Sequence, residues 1–195
     1  MCEEHLRPAV FLDRDGVINE NAPTYVRCWG EFEFLSTSLK ALRRLARTGY
    51  AIVVVTNQSV IGRGLVSQAV VEQINQQMCD AVASAGGRID RVYYCPHQPS
   101  DRCICRKPMP GMLQQAMMEL KLDAQRSFMI GDALSDVEAG IAAGCKSILV
   151  LTGRGTNYQH LVPEGVAVHD NLEEAVEQIL RKTDWRDPGA DSNNV

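Results

Sequence analysis

The chain has 195 residues, an apolar fraction of 45% and a formal net charge of −4. That length suits one domain with a sizeable core. The acidic balance argues against nucleic-acid binding, which needs a basic surface, and no apolar stretch is long enough to span a bilayer.

In chain order, Ala9-Val10-Phe11-Leu12 is a short apolar run that reads as a buried parallel strand. It ends on Asp13-Arg14-Asp15-Gly16. Ser36 to Arg47 carries Leu39, Leu42, Leu45 and Ala46 at helical spacing, with Ser36 or Thr37 as its cap. Tyr50 to Val55 is the clearest strand, and Thr56-Asn57-Gln58-Ser59 follows it. After Gly62 and Gly64, Ser67 is placed to cap a helix carrying Val70, Val71, Ile74, Met78, Ala81 and Val82. Ile89 to Tyr94 reads as a third strand, followed by a loop rich in Cys, Pro and charge from Cys95 to Pro110. Met112 to Leu122 is helical, Phe128 to Ile130 a strand, Asp136 to Ala143 helical and Ser147 to Leu151 a strand. Val166 to Val168 adds an edge strand and Leu172 to Leu180 a last helix. Repeated strand–helix alternation implies right-handed crossovers: an α/β, doubly wound, mainly parallel sheet with helices on both faces. A single domain is expected over residues 1–183. The polar tail from Asp184 to Val195 is expected to be disordered.

Four polar clusters fall at strand ends, where open α/β sheets bind ligands. Asp13 and Asp15 suit a hard cation such as Mg²⁺, and one of them could attack phosphorus; the same four residues also make an ordinary turn. The Thr56 hydroxyl and nearby backbone N–H groups can hold phosphate oxygens, or simply cap a strand. Arg106 and Lys107 offer a planar fork and a compact charge to a phosphate, though adjacent cations are often just solvated surface. In Gly131-Asp132-Ala133-Leu134-Ser135-Asp136, Asp132 could complete a Mg²⁺ site with Asp13 and a backbone carbonyl, while Asp136 could pair with Lys107, hydrogen-bond within the metal shell or simply cap a helix.

Seven cysteines make an odd count without a signal-peptide pattern in Met1-Cys2-Glu3-Glu4-His5, which fits free thiols and metal ligands in a cytoplasmic protein better than a disulfide framework. Cys95, His97, Cys103 and Cys105 gather in one loop, residues 95–105. Three thiolates and an imidazole make a closed tetrahedral Zn²⁺ site, hence a structural one. The loop ends directly before Arg106-Lys107, so zinc would stiffen the backbone that delivers both cations. His5, His160 and His169 are isolated and carry no assigned role.

The series Asp-x-Asp, then Thr, then Lys, then Gly-Asp-x-x-x-Asp, each after a strand, resembles the haloacid dehalogenase-like (HAD) hydrolase superfamily from about Val10 to Leu151. The resemblance implies that Asp13 is a nucleophile forming an aspartyl-phosphate. Asp15 would protonate the leaving oxygen and then activate water. Thr56 and Lys107 would hold the transferring phosphoryl group. Mg²⁺ would be bound by Asp13, Asp132 and the backbone carbonyl of Asp15, with Asp136 in support. A second aspartate two positions after the first points within this superfamily to hydrolysis of an oxygen ester.

The zinc loop followed by Cys-x-Cys-Arg-Lys-Pro is similar to a small subfamily with a minimal cap, which holds sugar-bisphosphate and histidinol-phosphate phosphatases. Thr56 to Gly64, Arg106-Lys107-Pro108-Met109-Pro110-Gly111-Met112, Asn19, Tyr25-Val26 and Phe32-Glu33-Phe34 look like the branch that removes the C7 phosphate of heptose 1,7-bisphosphate for lipopolysaccharide precursors. Val60, where that branch has Gly, and Ala133, where it often has Lys, depart from the pattern. The implied partner is a small phosphorylated sugar bound near Asn21, Tyr25, Asn57, Gln58, Ser59 and Arg106, the last at the remote phosphate. The minimal cap implies an open site that a monomer can use. Histidinol phosphate is the nearest rival substrate. A DNA 3′-phosphatase shares similar motifs but suits the acidic balance poorly. A zinc-stabilised binding module without activity is the rival from another class.

Overall fold

The computed structural model describes residues 6–22 and 24–182. The segments Met1 to His5 and Asp184 to Val195 discussed above lie outside the described residues. Six strands run β1 (Ala9–Leu12), β2 (Ala51–Asn57), β3 (Arg91–Cys95), β4 (Phe128–Gly131), β5 (Lys146–Val150) and β6 (Ala167–His169). They form one sheet in the order β3-β2-β1-β4-β5-β6, every neighbouring pair parallel. The helices are α1 (Ser38–Ala46), α2 (Ser59–Gly62), α3 (Gln68–Ser84), α4 (Gly111–Leu120), α5 (Leu134–Ala142) and α6 (Leu172–Lys182).

Two apolar layers hold the sheet, because successive strand residues point to opposite faces. Val10, Leu12, Ile52, Val54, Ile130 and Ile148 pack with Leu42 and Leu45 of α1, Ile74 and Met78 of α3, and Val176 and Ile179 of α6. Ala9, Phe11, Val53, Val55 and Met129 pack on the other side with Met112, Leu113 and Ala116 of α4 and Ala139 of α5. Residues 9–12 are wholly buried. Large side chains such as Phe11 and Leu12 each contribute about 1.5–3 kcal/mol by leaving water. This is the doubly wound sheet expected, with every neighbouring pair of strands parallel.

The element ends differ by a few residues for local reasons. α1 begins at Ser38, whose hydroxyl donates to Leu35 O at 2.9 Å, so Ser36 and Thr37 form a turn ahead of it. β2 runs on through Thr56 and Asn57 because these pair with Tyr94 and Cys95 of β3. Ser67 does cap α3, accepting from Val70 N. α5 begins at Leu134, which puts Asp136 in its first turn, where the carboxylate accepts from Ala133 N at 3.0 Å. α2 was not foreseen, since four residues are too few to show a period.

The chain leaves β1 to pair with β2 on one side and β4 on the other. The crevice beyond the ends of β1 and β4 is therefore the topological switch point. Between β1 and α1 the chain folds back on itself, with Glu20 N donating to Glu33 O and Leu35 N to Ile18 O. Trp29 and Phe32 stack there, with ring centroids 4.9 Å apart, and Phe34 meets Phe32 edge-on at 5.0 Å. This small flap carries Asn21, Thr24 and Tyr25 to the edge of the crevice.

Candidate active site

Lys107 is the hub of the crevice. Its ammonium donates to Asp13 Oδ1 at 2.7 Å and Val55 O at 2.7 Å, and lies 2.6 Å from Asp136 Oδ1. Burial works against this charge, but Asp13 and Asp136 outweigh it and hold the lysine's proton affinity above its usual value. Three strand ends, those of β1, β2 and β4, thus meet on one cation. Asn57 fixes the lysine's main chain: its Nδ2 donates to Lys107 O and its Oδ1 accepts from Lys107 N, both at 3.1 Å. The Asn57 amide, expected to touch substrate, is committed to positioning Lys107.

Asp13, Asp132 and Asp136 bring carboxylate oxygens within 4.8 Å of one another. Asp132 Oδ2 accepts from Asn21 Nδ2 at 2.7 Å and Arg154 N at 2.8 Å. Asn21, also expected to touch substrate, therefore orients Asp132. The crowding is tight: a Cβ added at Gly16 would lie 2.1 Å from Asp132 Oδ2, and one at Gly153 2.2 Å, and both residues have positive φ. Burial, with Lys107 opposing and Asp136, Asp132 and Asp15 adding, raises the Asp13 pKa to about 7. Burial and Asp136 raise that of Asp132 to about 6, against hydrogen bonds from Arg154 and Asn21. A hard-oxygen donor set with more negative charge than Lys107 can neutralise fits a Mg²⁺ ion. Asp136 has one oxygen on Lys107 and the other accepting from Ala133 N.

Asp15 faces a different environment. Its Oδ1 accepts from Arg14 Nη2 and Asn19 Nδ2 at 3.1 and 2.9 Å, and its Oδ2 from Arg14 Nη2 and Gln58 Nε2 at 3.0 and 2.8 Å. Burial opposes its charge, but Arg14 and these hydrogen bonds win and lower its pKa below the usual carboxylate value. The Asp15 carboxylate lies outside the three-carboxylate cluster. Gln58 Nε2 also donates to Thr56 Oγ1 at 2.9 Å, so Gln58 ties the second strand end to Asp15.

The cysteine loop closes on itself. Cys95, Cys103 and Cys105 sulfurs lie 3.3–3.5 Å apart, and His97 Nδ1 is 3.5 Å from Cys95 Sγ and 3.3 Å from Cys105 Sγ. A tetrahedral zinc site has ligand-to-ligand edges of about 3.5–3.8 Å. The four donors fit a zinc ion with a small outward adjustment.

A HAD-hydrolase-like family model matches residues 104–175. A D-glycero-beta-D-manno-heptose-1,7-bisphosphate 7-phosphatase from Pseudomonas aeruginosa is 38% identical over 176 residues, covering 90% of this chain and 99% of that protein. One of the same name from Bordetella bronchiseptica is 39% identical over 175 residues, covering 89% and 98%. The crystal structure of D,D-heptose 1,7-bisphosphate phosphatase from B. bronchiseptica, complexed with magnesium and phosphate, superimposes with a TM-score of 0.85 at 38% identity, covering 90% of this chain and 99% of that one. The chain belongs to the heptose-bisphosphate phosphatase family of HAD-like hydrolases.

Around the aspartates of this family member lies a cavity of about 240 Å³. Of the residues expected at a substrate, Tyr25, Ser59 and Arg106 line it, beside Asn21, Asn57 and Gln58, whose amides are already engaged. Arg106 Nη1 donates to His97 O at 3.3 Å, which ties it to the cysteine loop. Two further cations, Arg63 at the end of α2 and Arg154 after β5, reach the same cavity. Arg63 falls in the Thr56 to Gly64 stretch that carries the family resemblance, without a role of its own there, whereas a single arginine such as Arg154 carries no signal in the sequence. Val60, a departure from the family pattern, is fully buried in α2, where its carbonyl accepts from Leu65 N at 3.1 Å. Ala133 lines the cavity without offering it a charge.

Proposed function

We propose that this protein is a Mg²⁺-dependent phosphomonoester hydrolase that removes the C7 phosphate of D-glycero-β-D-manno-heptose 1,7-bisphosphate. The observation that carries the reading is the convergence of Asp13, Lys107, Asp132 and Asp136 beside Asp15 in one cavity. The relatives' names support the sugar and its anomer.

Asp13, Asp132 and the Asp15 carbonyl are the groups suited to hold Mg²⁺, which when bound supplies positive charge to the phosphoryl oxygens. Lys107 neutralises Asp13 in part and offers charge to the same oxygens, and Thr56 adds a hydroxyl donor. The Asp13 carboxylate attacks phosphorus, and the bond from phosphorus to the sugar oxygen breaks. That oxygen keeps the electron pair and takes a proton from Asp15. Asp15, now a carboxylate, takes a proton from a water that attacks phosphorus, and inorganic phosphate leaves Asp13 free. Arg14 holds Asp15 ionised at rest. The negative phosphoryl group entering beside it works in the other direction and raises its proton affinity. Arg63, Arg106 and Arg154 at the cavity wall suit the second phosphate of a bisphosphate.

Phosphate release from both anomers of the heptose bisphosphate and from histidinol phosphate, at equal concentrations with Mg²⁺, tests the reading. The β anomer is expected to turn over at least about tenfold faster than histidinol phosphate. Equal or faster release from histidinol phosphate would overturn the sugar assignment.

A further inference from the structure

α3 buries Val71, Ile74, Met78 and Val82 against the sheet, and one polar side chain among them, Asn75, which is 5% exposed. A buried amide is costly unless bonded. Asn75 Oδ1 accepts from Arg14 Nη1 at 2.9 Å. Arg14 is itself 1% exposed, with its guanidinium carbon 6.0 Å from the centre of the Phe32 ring. Its other terminal nitrogen, Nη2, reaches both oxygens of Asp15. Its Nε is buried with no hydrogen-bond partner. Among the described residues, the guanidinium's hydrogen bonds are thus made by its two terminal nitrogens, one to Asn75 and one to Asp15.

The partner's neutrality matters as much as its position. An amide oxygen satisfies the N–H without taking up the positive charge. A carboxylate at the same place would share that charge and draw the guanidinium away from Asp15. We infer that Asn75 is a positioning residue for the reaction: it aims the undivided charge of Arg14 at Asp15 and so fixes where Asp15 points. This rests on the phosphatase reading above, in which Asp15 protonates the leaving oxygen.

That role predicts a dependence on the leaving group. A sugar alkoxide needs the proton from Asp15, whereas the aryloxide of p-nitrophenyl phosphate leaves without it. kcat/KM covers the steps from binding through departure of the leaving group, so it includes this proton transfer and excludes the later hydrolysis of the aspartyl-phosphate. Asn75→Leu removes the acceptor and suits the apolar layer; Asn75→Asp keeps the shape and adds a competing charge. Both variants, with Mg²⁺, are expected to lose about tenfold or more in kcat/KM for the heptose bisphosphate and less than about twofold for p-nitrophenyl phosphate. A merely structural role would lower both substrates by one factor. An unchanged ratio in either folded variant overturns the inference while leaving the phosphatase reading standing. A wild-type protein inactive on both esters overturns the two together.

Discussion

Asp13 and Asp15 are the same residue type two positions apart, yet their surroundings push them in opposite directions. Asp13 is raised to about 7 by burial among carboxylates, and Asp15 is lowered by Arg14 and two further hydrogen-bond donors, Asn19 and Gln58. Opposed environments on paired carboxylates are how one site divides two roles. Asp13→Asn keeps the shape and the oxygen that accepts from Lys107, but removes the nucleophile. Turnover is expected to fall by about 10⁴-fold or more, with a cooperative melt and the zinc content retained. Substantial activity in this variant would sink the assigned mechanism. Asp13, Asp15 and Asp132 were legible in the sequence because they close apolar strand-like runs, and Lys107 because it directly follows the cysteine loop. The amides were not. Asn57 and Asn21 line the cavity, where substrate contacts were expected, and their amides also hold Lys107 and Asp132, 50 and 111 residues away. Nothing local to an asparagine says whether its partner is a ligand or another loop.

At the scale of elements, the cysteine loop holds more than the lysine that follows it. Cys95 O accepts from Gln58 N at 2.7 Å, Pro96 O from Gly62 N at 2.9 Å, and Gly62 O from Gln98 Nε2 at 2.8 Å. The loop therefore braces α2 on one side and Arg106 and Lys107 on the other, and through Gln58 it reaches Asp15 and Thr56. Cys103→Ser is expected to lower zinc content and to cut turnover about tenfold or more, although no group on the reaction path is removed. A zinc-free protein with unchanged kinetics would show that the brace is dispensable. A second element-level constraint is the meeting of the β1 and β5 loops at Asp132. Thr152 Oγ1 donates to Gly16 O at 2.6 Å, and Gly16 and Gly153 both press their backbones on the carboxylate. Gly153→Ala must move Asp132 or the loop, and its φ of +58° is unfavourable for alanine. The Mg²⁺ concentration for half-maximal activity is expected to rise about tenfold, with p-nitrophenyl phosphate hydrolysis at saturating Mg²⁺ less affected. The strands behind these loops were readable from apolar runs and turn residues. The joints between loops were not, since they are made by main-chain groups that every residue carries.

The three carboxylates also act on the whole molecule, through the link between protonation and stability. Asp13 and Asp132, raised to about 7 and about 6, both lie above the ordinary value of 3.8 that they regain on unfolding. Without a cation, the folded chain keeps protons that the unfolded chain releases between about pH 4 and pH 7. Their contribution to stability is therefore fully present below about pH 4 and is lost as pH rises through 6 and 7. Asp15, lowered, has the opposite sign: its contribution is present above pH 3.8 and is lost only in stronger acid. Above neutral pH the cation-free protein thus carries two buried charges that Lys107 does not fully offset. Mg²⁺ competes with protons for those same oxygens, so its stabilisation must grow as the protons leave. The Mg²⁺-induced rise in melting temperature is expected to be larger at about pH 8 than at about pH 5, by about 3 °C or more. The comparison is made without chelator, so that zinc stays bound. An equal rise at both pH values would place the bound Mg²⁺ elsewhere than on Asp13 and Asp132.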